Sequence, residues 1–179
     1  HVYEPTPQTA KMLLHSHLFV INGLGFEGWL PRLIQSSGYQ GKVGVATDGI
    51  VPLKGNKDFH EEESHSEKGH AVPDPHAWHS LANARIYAKN IEQALAQIDP
   101  KHALSYQHNL NQYLLKMARL EEEIQALLKK ISANRRIAVV PHQTFQYLGV
   151  EYGIRFLSPV GWSTESSPSA RAFALLIQQ

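Results

Sequence analysis

The sequence predicts an α/β protein: two βα lobes with parallel sheets, joined by one long backbone helix. Three observations carry this expectation. Residues 18–21, 26–36 and 42–47 alternate as strand, helix and strand, the order of a parallel sheet with helical crossovers. A similar alternation returns after residue 135. Between the two, apolar residues fall at 103, 106, 110, 113, 117, 120, 124, 127 and 131, steps of three and four without a miss. Such a seam calls for a helix of about 45 Å. A free-standing coiled coil fits it too, but sheet elements resume directly afterwards, which favours a helix packed along two lobes. The expected division is an N-terminal lobe at 1–99, a linking helix at 100–132 and a C-terminal lobe at 133–179.

Each element has a local cause. In the opening run His1-Val-Tyr-Glu-Pro-Thr-Pro7, Thr6 is placed to cap a helix and Pro7 to occupy its first turn, with the helix reaching about residue 16. Leu18 to Ile21 reads as a short buried strand, ended by Asn22-Gly23-Leu24-Gly25. A helix over 26–36 sets Phe26, Trp29, Leu30, Leu33 and Ile34 on one face. Ser80 is a plausible N-cap for a helix over 80–98, with Leu81, Ile86, Ile91, Ala94, Leu95 and Ile98 as inward positions. Asp99-Pro100 breaks it, and Ala133-Asn134 closes the long helix that follows. Beyond lie a strand at 136–141, a helix at 143–152, a strand at 154–160, a polar loop at 161–167 and a helix opened by Pro168.

Chemistry concentrates in histidine, at 11 of 179 residues. The stretch Pro73-Asp74-Pro75-His76-Ala77-Trp78-His79-Ser80 puts two imidazoles in an elbow that the prolines hold extended and stiff. Upstream, residues 54–72 carry His60, His65 and His70 among Glu61, Glu62 and Glu63, with almost nothing apolar. Such a tract binds divalent metals weakly, and it equally suits a solvated linker. His142 follows Pro141 at the end of a strand, where open parallel sheets keep their ligands. His1, His76 and His142 thus all sit at Pro-flanked segments beside sheet edges. Converging with one oxygen ligand or water, they would make a four-coordinate Zn²⁺ site. His79 reads as an elbow residue, Trp78 and Trp162 as packing residues, and Ser163 to Ser166 as turn and cap residues.

Composition narrows the function. A net charge of +1 gives no electrostatic case for nucleic acid. The absence of cysteine excludes disulfides and thiolate sites and fits an oxidising compartment. No apolar run approaches the ~20 residues that cross a bilayer. The chain begins at His1 rather than Met, so it is expected to be processed or cut. HExxH, GxSxG and P-loop signatures are all missing.

Taken together, His1 to Pro7, Asn22-Gly-Leu-Gly-Phe-Glu27 with Trp29, Pro73 to Trp78, Pro141 to Tyr147 with Tyr152-Gly-Ile154, and the loop at 158–163 resemble one family. It is that of the metal receptors of ABC-type importers, the zinc/manganese solute-binding proteins of bacteria. The matches run over nearly the whole chain and in the family's order. The resemblance implies a periplasmic receptor, not an enzyme, that captures Zn²⁺ between two lobes and delivers it to a membrane permease. It makes His1, His76 and His142 the metal ligands and the helix at 100–132 the rigid connector. It likens the tract with His60, His65 and His70 to the insertion of zinc-type members. Elements that the family has before the first ligand and after residue 179 are not in this sequence. Both lobes are therefore expected to be incomplete, and the site to have at most three protein ligands. With imidazole rather than carboxylate at position 142, Zn²⁺ is expected over Mn²⁺. The rival readings are a zinc-dependent hydrolase using an open coordination position, and a metal-buffering or adhesion protein with no transporter partner.

Overall fold

The computed structural model describes residues 3–54 and 73–159. His1, the tract with His60, His65 and His70, Trp162, the loop at 161–167 and the helix opened by Pro168 lie outside the described residues.

Helix α1 (Pro7–Leu14) begins as expected, with the Thr6 hydroxyl accepting from the Thr9 amide in a capping box and Pro7 in the first turn. Strand β1 (Leu18–Ile21) pairs in parallel with β2 (Lys42–Val45), Leu18 opposite Lys42 and Ile21 opposite Val45. Between them α2 spans Leu30–Ser37, four residues shorter at its start than the expected helix. Pro31 is the reason. Its missing N–H is harmless only in the first turn, so a helix begun at Phe26 would carry it in the interior. Phe26 consequently leaves the helix face and packs edge-on against Trp78, ring centres 5.3 Å apart. Leu33 keeps its expected inward position, buried with Leu13 and Tyr39 against Trp29 and Ile34.

The elbow differs from the expectation in one feature. Asp74 to His76 run without regular structure, but a single 3-10 turn, Ala77–His79, precedes the helix. Helix α3 (Leu81–Ile98) is capped by the Ser80 hydroxyl, which accepts from the Asn83 amide. After a second 3-10 turn at Pro100–His102, helix α4 (Ala103–Leu128) packs along α3. It ends sooner than Ala133-Asn134. The Arg136 guanidinium donates to the carbonyls of Leu128 and Ile131, satisfying groups at that end.

The expected seam of α4 is partly wrong. Met117 and Leu128 are buried, whereas Tyr113 is 52 % exposed, Leu120 45 % and Leu127 58 %. The less exposed apolar positions include Tyr106, Leu110, Leu114, Met117, Ile124 and Leu128, and Tyr113 lines an open groove between α3 and α4 with Tyr106 and Leu110. Ile98 and Val20, both expected to be inward, are also partly exposed.

Strand β3 (Ile137–Val139), helix α5 (Gln146–Tyr152) and strand β4 (Arg155–Leu157) form the second unit, with β3 and β4 parallel. Helix α5 starts three residues later than expected, because Pro141 to Phe145 form a loop and bends at the end of β3. The architecture is thus α/β, with two small parallel sheets and one long helix between them in sequence.

Candidate metal centre

The site lies beyond the carboxyl ends of strands from both sheets, where parallel strands open their loops. After β1 the chain turns at Asn22-Gly23. The Glu27 carboxylate accepts from both amides there, at 2.6 Å from Asn22 and 3.1 Å from Gly23. Gly23 has φ +90°, and a Cβ on it would come within 2.5 Å of the Thr47 hydroxyl, so no side chain fits. The Thr47 hydroxyl donates to the Asn22 carbonyl from the end of β2. Asn22 itself donates through Nδ2 to the Pro75 carbonyl at 3.0 Å, and its Oδ1 accepts from the Tyr87 hydroxyl on α3. The motif Asn22 to Glu27 thus fastens the elbow onto the first sheet.

His76 is 2 % and Asp74 1 % exposed. The Asp74 carboxylate accepts from the His76 backbone amide at 2.9 Å and lies 2.7 Å from its ring Nδ1. A carboxylate on Nδ1 fixes the tautomer and makes Nε2 the nitrogen that takes a metal. Asp74 was absent from the candidate residues, although Pro73-Asp74-Pro75-His76 already showed a carboxylate two residues ahead of the imidazole.

His142, two residues past Val140, lies beside His76 with ring centres 5.7 Å apart at 60°. Two imidazoles on one tetrahedral Zn²⁺, with Zn–N of about 2.1 Å, hold their ring centres about 5 Å apart. The pair is therefore close to ligand spacing. Burial, then the neighbouring His76, lowers the pKa of His142 below the ordinary imidazole value. Its neutral, ligating form is thereby favoured. Its Nε2 is hydrogen-bonded to the Thr144 hydroxyl, so an ion taken at that nitrogen must displace the hydroxyl.

His79 packs among neighbouring rings. Its ring lies 4.4 Å from Phe145 and 5.5 Å from Trp78, and burial followed by the neighbouring His76 lowers its pKa. Trp78 stands between Phe26 and His76. Among the described residues no group of three or more His, Cys, Asp or Glu side chains is arranged to hold a metal ion. The structure brings together two of the three expected ligands, and His1 lies outside the described residues. An open apolar groove of about 280 Å³ between α3 and α4 shares no residue with the imidazoles. Among the described residues no helix is long and apolar enough to cross a membrane.

Comparison with known proteins places this geometry in context. The zinc uptake protein ZnuA of Bacillus subtilis (strain 168) is 33% identical over 179 residues, 98% of this chain and 55% of its own length. The iron ABC transporter substrate-binding lipoprotein MtsA of Streptococcus pyogenes serotype M1 is 31% identical over 160 residues, 86% of this chain and 49% of its own. The chain therefore spans about half the length of the curated relatives it matches. The solved Mn-bound periplasmic metal-binding protein of candidatus liberibacter asiaticus is 28% identical, with a TM-score of 0.80 over 100% of this chain and 62% of that one. These relatives bear the names of uptake and binding proteins, not of enzymes. One family model, zinc-uptake complex component A periplasmic, matches residues 1–179, and the chain belongs to that ZnuA family.

Proposed function

We propose that the protein is a periplasmic Zn²⁺ receptor, which takes the ion between its two lobes and delivers it to the permease of an ABC importer. His76 and His142 hold the ion, and His1 supplies the third nitrogen. The observation that supports this most is the His76–His142 pair, 5.7 Å between ring centres, with a buried carboxylate on the Nδ1 of His76. Nothing in the arrangement calls for bond chemistry, in keeping with the names of its relatives.

The relatives' names cover zinc, iron and manganese, so the choice of metal is argued from the donors. Imidazole nitrogens suit Zn²⁺, whereas Mn²⁺ prefers carboxylate and water oxygens and stands lower in the Irving–Williams order. Fe²⁺ lies between them in that order. His60, His65 and His70 form a weaker, accessory site. Helix α4 is the connector between lobes at 1–99 and 133–179.

Competition titration of the protein with Zn²⁺, Fe²⁺ and Mn²⁺ at fixed pH tests the reading. The expected order is Zn²⁺ far tighter than Mn²⁺, with His1→Ala, His76→Ala and His142→Ala each weakening Zn²⁺ strongly. His102→Ala and His108→Ala on or beside α4 should leave it unchanged. Equal losses from all five, or stoichiometric displacement of Zn²⁺ by Mn²⁺, would overturn the proposal.

A further inference from the structure

Tyr147 lies on α5, five residues after His142, and is buried at 5 % exposure. Its hydroxyl reaches out of its own half of the chain. It donates to the Asp74 carbonyl at 2.7 Å and accepts from the Leu53 amide at 3.0 Å. Those two residues are paired with each other, the Asp74 amide donating to the Leu53 carbonyl at 2.9 Å beside the bridge of Lys54 with Pro73. The phenol oxygen thus ties together the two strands leading into and out of residues 55–72. It does so at the residue whose carboxylate holds His76. Asp74 is thus held at three points: its amide by Leu53, its carbonyl by Tyr147 and its carboxylate Oδ1 by His76. Burial pushes the Tyr147 phenol up from its ordinary pKa, so the hydroxyl stays a donor.

We infer that Tyr147 is a positioning residue for the metal pair: its hydroxyl fixes the spacing of His142 from His76 through the Asp74 main chain. The inference rests on the reading that these two imidazoles share the ion. The physical case is a contrast of lengths. The covalent route from Asp74 to His142 runs through both α3 and α4, the full length of two helices, where small bends add up. The route through Tyr147 is one hydrogen bond and one short turn. A ligand pair needs placement to about 0.5 Å, which the short route supplies and the long covalent one does not.

The test is Tyr147→Phe, which keeps the ring and removes the hydroxyl. Zn²⁺ affinity, measured by competition, should fall roughly tenfold, as for other groups that orient metal ligands, mainly through faster dissociation. A purely structural role would lower the thermal midpoint of the metal-free protein and leave affinity and dissociation rate alone; that result overturns the inference. In the unsubstituted protein, coupling must be reciprocal, so saturating Zn²⁺ should slow amide exchange at Leu53 at least tenfold. Unchanged exchange at Leu53 also overturns it, whether or not the variant folds. His142→Ala separates the two readings. If that variant binds Zn²⁺ as tightly as the unsubstituted protein, the shared site fails and Tyr147 has no pair to position.

Discussion

Asp74 shows what one buried residue has to satisfy. A carboxylate at 1 % exposure costs several kcal/mol to desolvate unless its oxygens find donors. The His76 amide and ring both reach its Oδ1 from two residues away, through the Asp-Pro-His geometry itself. Asp74→Asn keeps the size and one acceptor oxygen but removes the charge that steadies the Nδ1 proton. Zn²⁺ affinity is expected to fall by about 10- to 100-fold, with the fold retained, as read by competition titration and far-UV circular dichroism. Unchanged affinity would mean that His76 is oriented by packing alone. The ligand candidates were legible from the sequence because histidines beside prolines stand out. Asp74, Thr144 and Tyr147 were not. Asp74 and Thr144 stand two residues from His76 and His142, a spacing visible in the sequence although the contact is not. Tyr147 works through Leu53, 94 residues away, which no local pattern contains. Phe26 misled for a related reason: its periodicity matched a helix, while Pro31, five residues on, forbade one.

At the level of elements, the junction of α3 and α4 has its own electrostatics. Asp99 accepts from the Tyr106 hydroxyl and from His102 Nδ1, both at 2.7 Å. The Tyr106 bond first, then His102, lowers the Asp99 pKa below its ordinary value of 3.8. A depressed carboxylate binds fewer protons folded than unfolded. Its contribution to stability is therefore present above 3.8 and is lost as pH falls through the lower folded value. Asp99→Asn should reduce the urea midpoint at pH 6, and the gap to the unsubstituted protein should close as pH drops below 3.8. A gap that persisted once Asp99 is fully protonated in the folded protein would assign the effect to capping geometry and not to charge. Elements of this kind were readable where a cap or breaker is local, as at Thr6, Pro7, Ser80 and Asp99. The inward face of α4 was not, since which of two apolar stripes faces α3 is decided by the partner helix. The sequence offers Tyr113, Leu120 and Leu127 as readily as Leu110, Met117 and Leu128.

Among the described residues, the two halves of the molecule share a buried cluster of Ile50, Ala77 and Tyr147, and further contacts between them adjoin the imidazoles. Beyond the His76–His142 pair they include the Tyr147 hydroxyl, the tilted ring contact of His79 with Phe145, and the Glu151 carboxylate, which accepts from the Ala82 amide at the start of α3. An ion held by ligands from both halves would add to that packing. An ion bound only by the folded state adds RT ln(1 + [L]/Kd), about 2.7 kcal/mol at a hundredfold excess over Kd. With ligands from both halves, that gain must appear in both. Hydrogen exchange, with and without Zn²⁺, can separate the strands. Protection is expected to rise in β1–β2 and in β3–β4 alike, and His142→Ala should abolish the rise in both sheets together. If protection rose around β1–β2 alone, the ion would be held by the elbow, and capture between two lobes would be the wrong description of this protein.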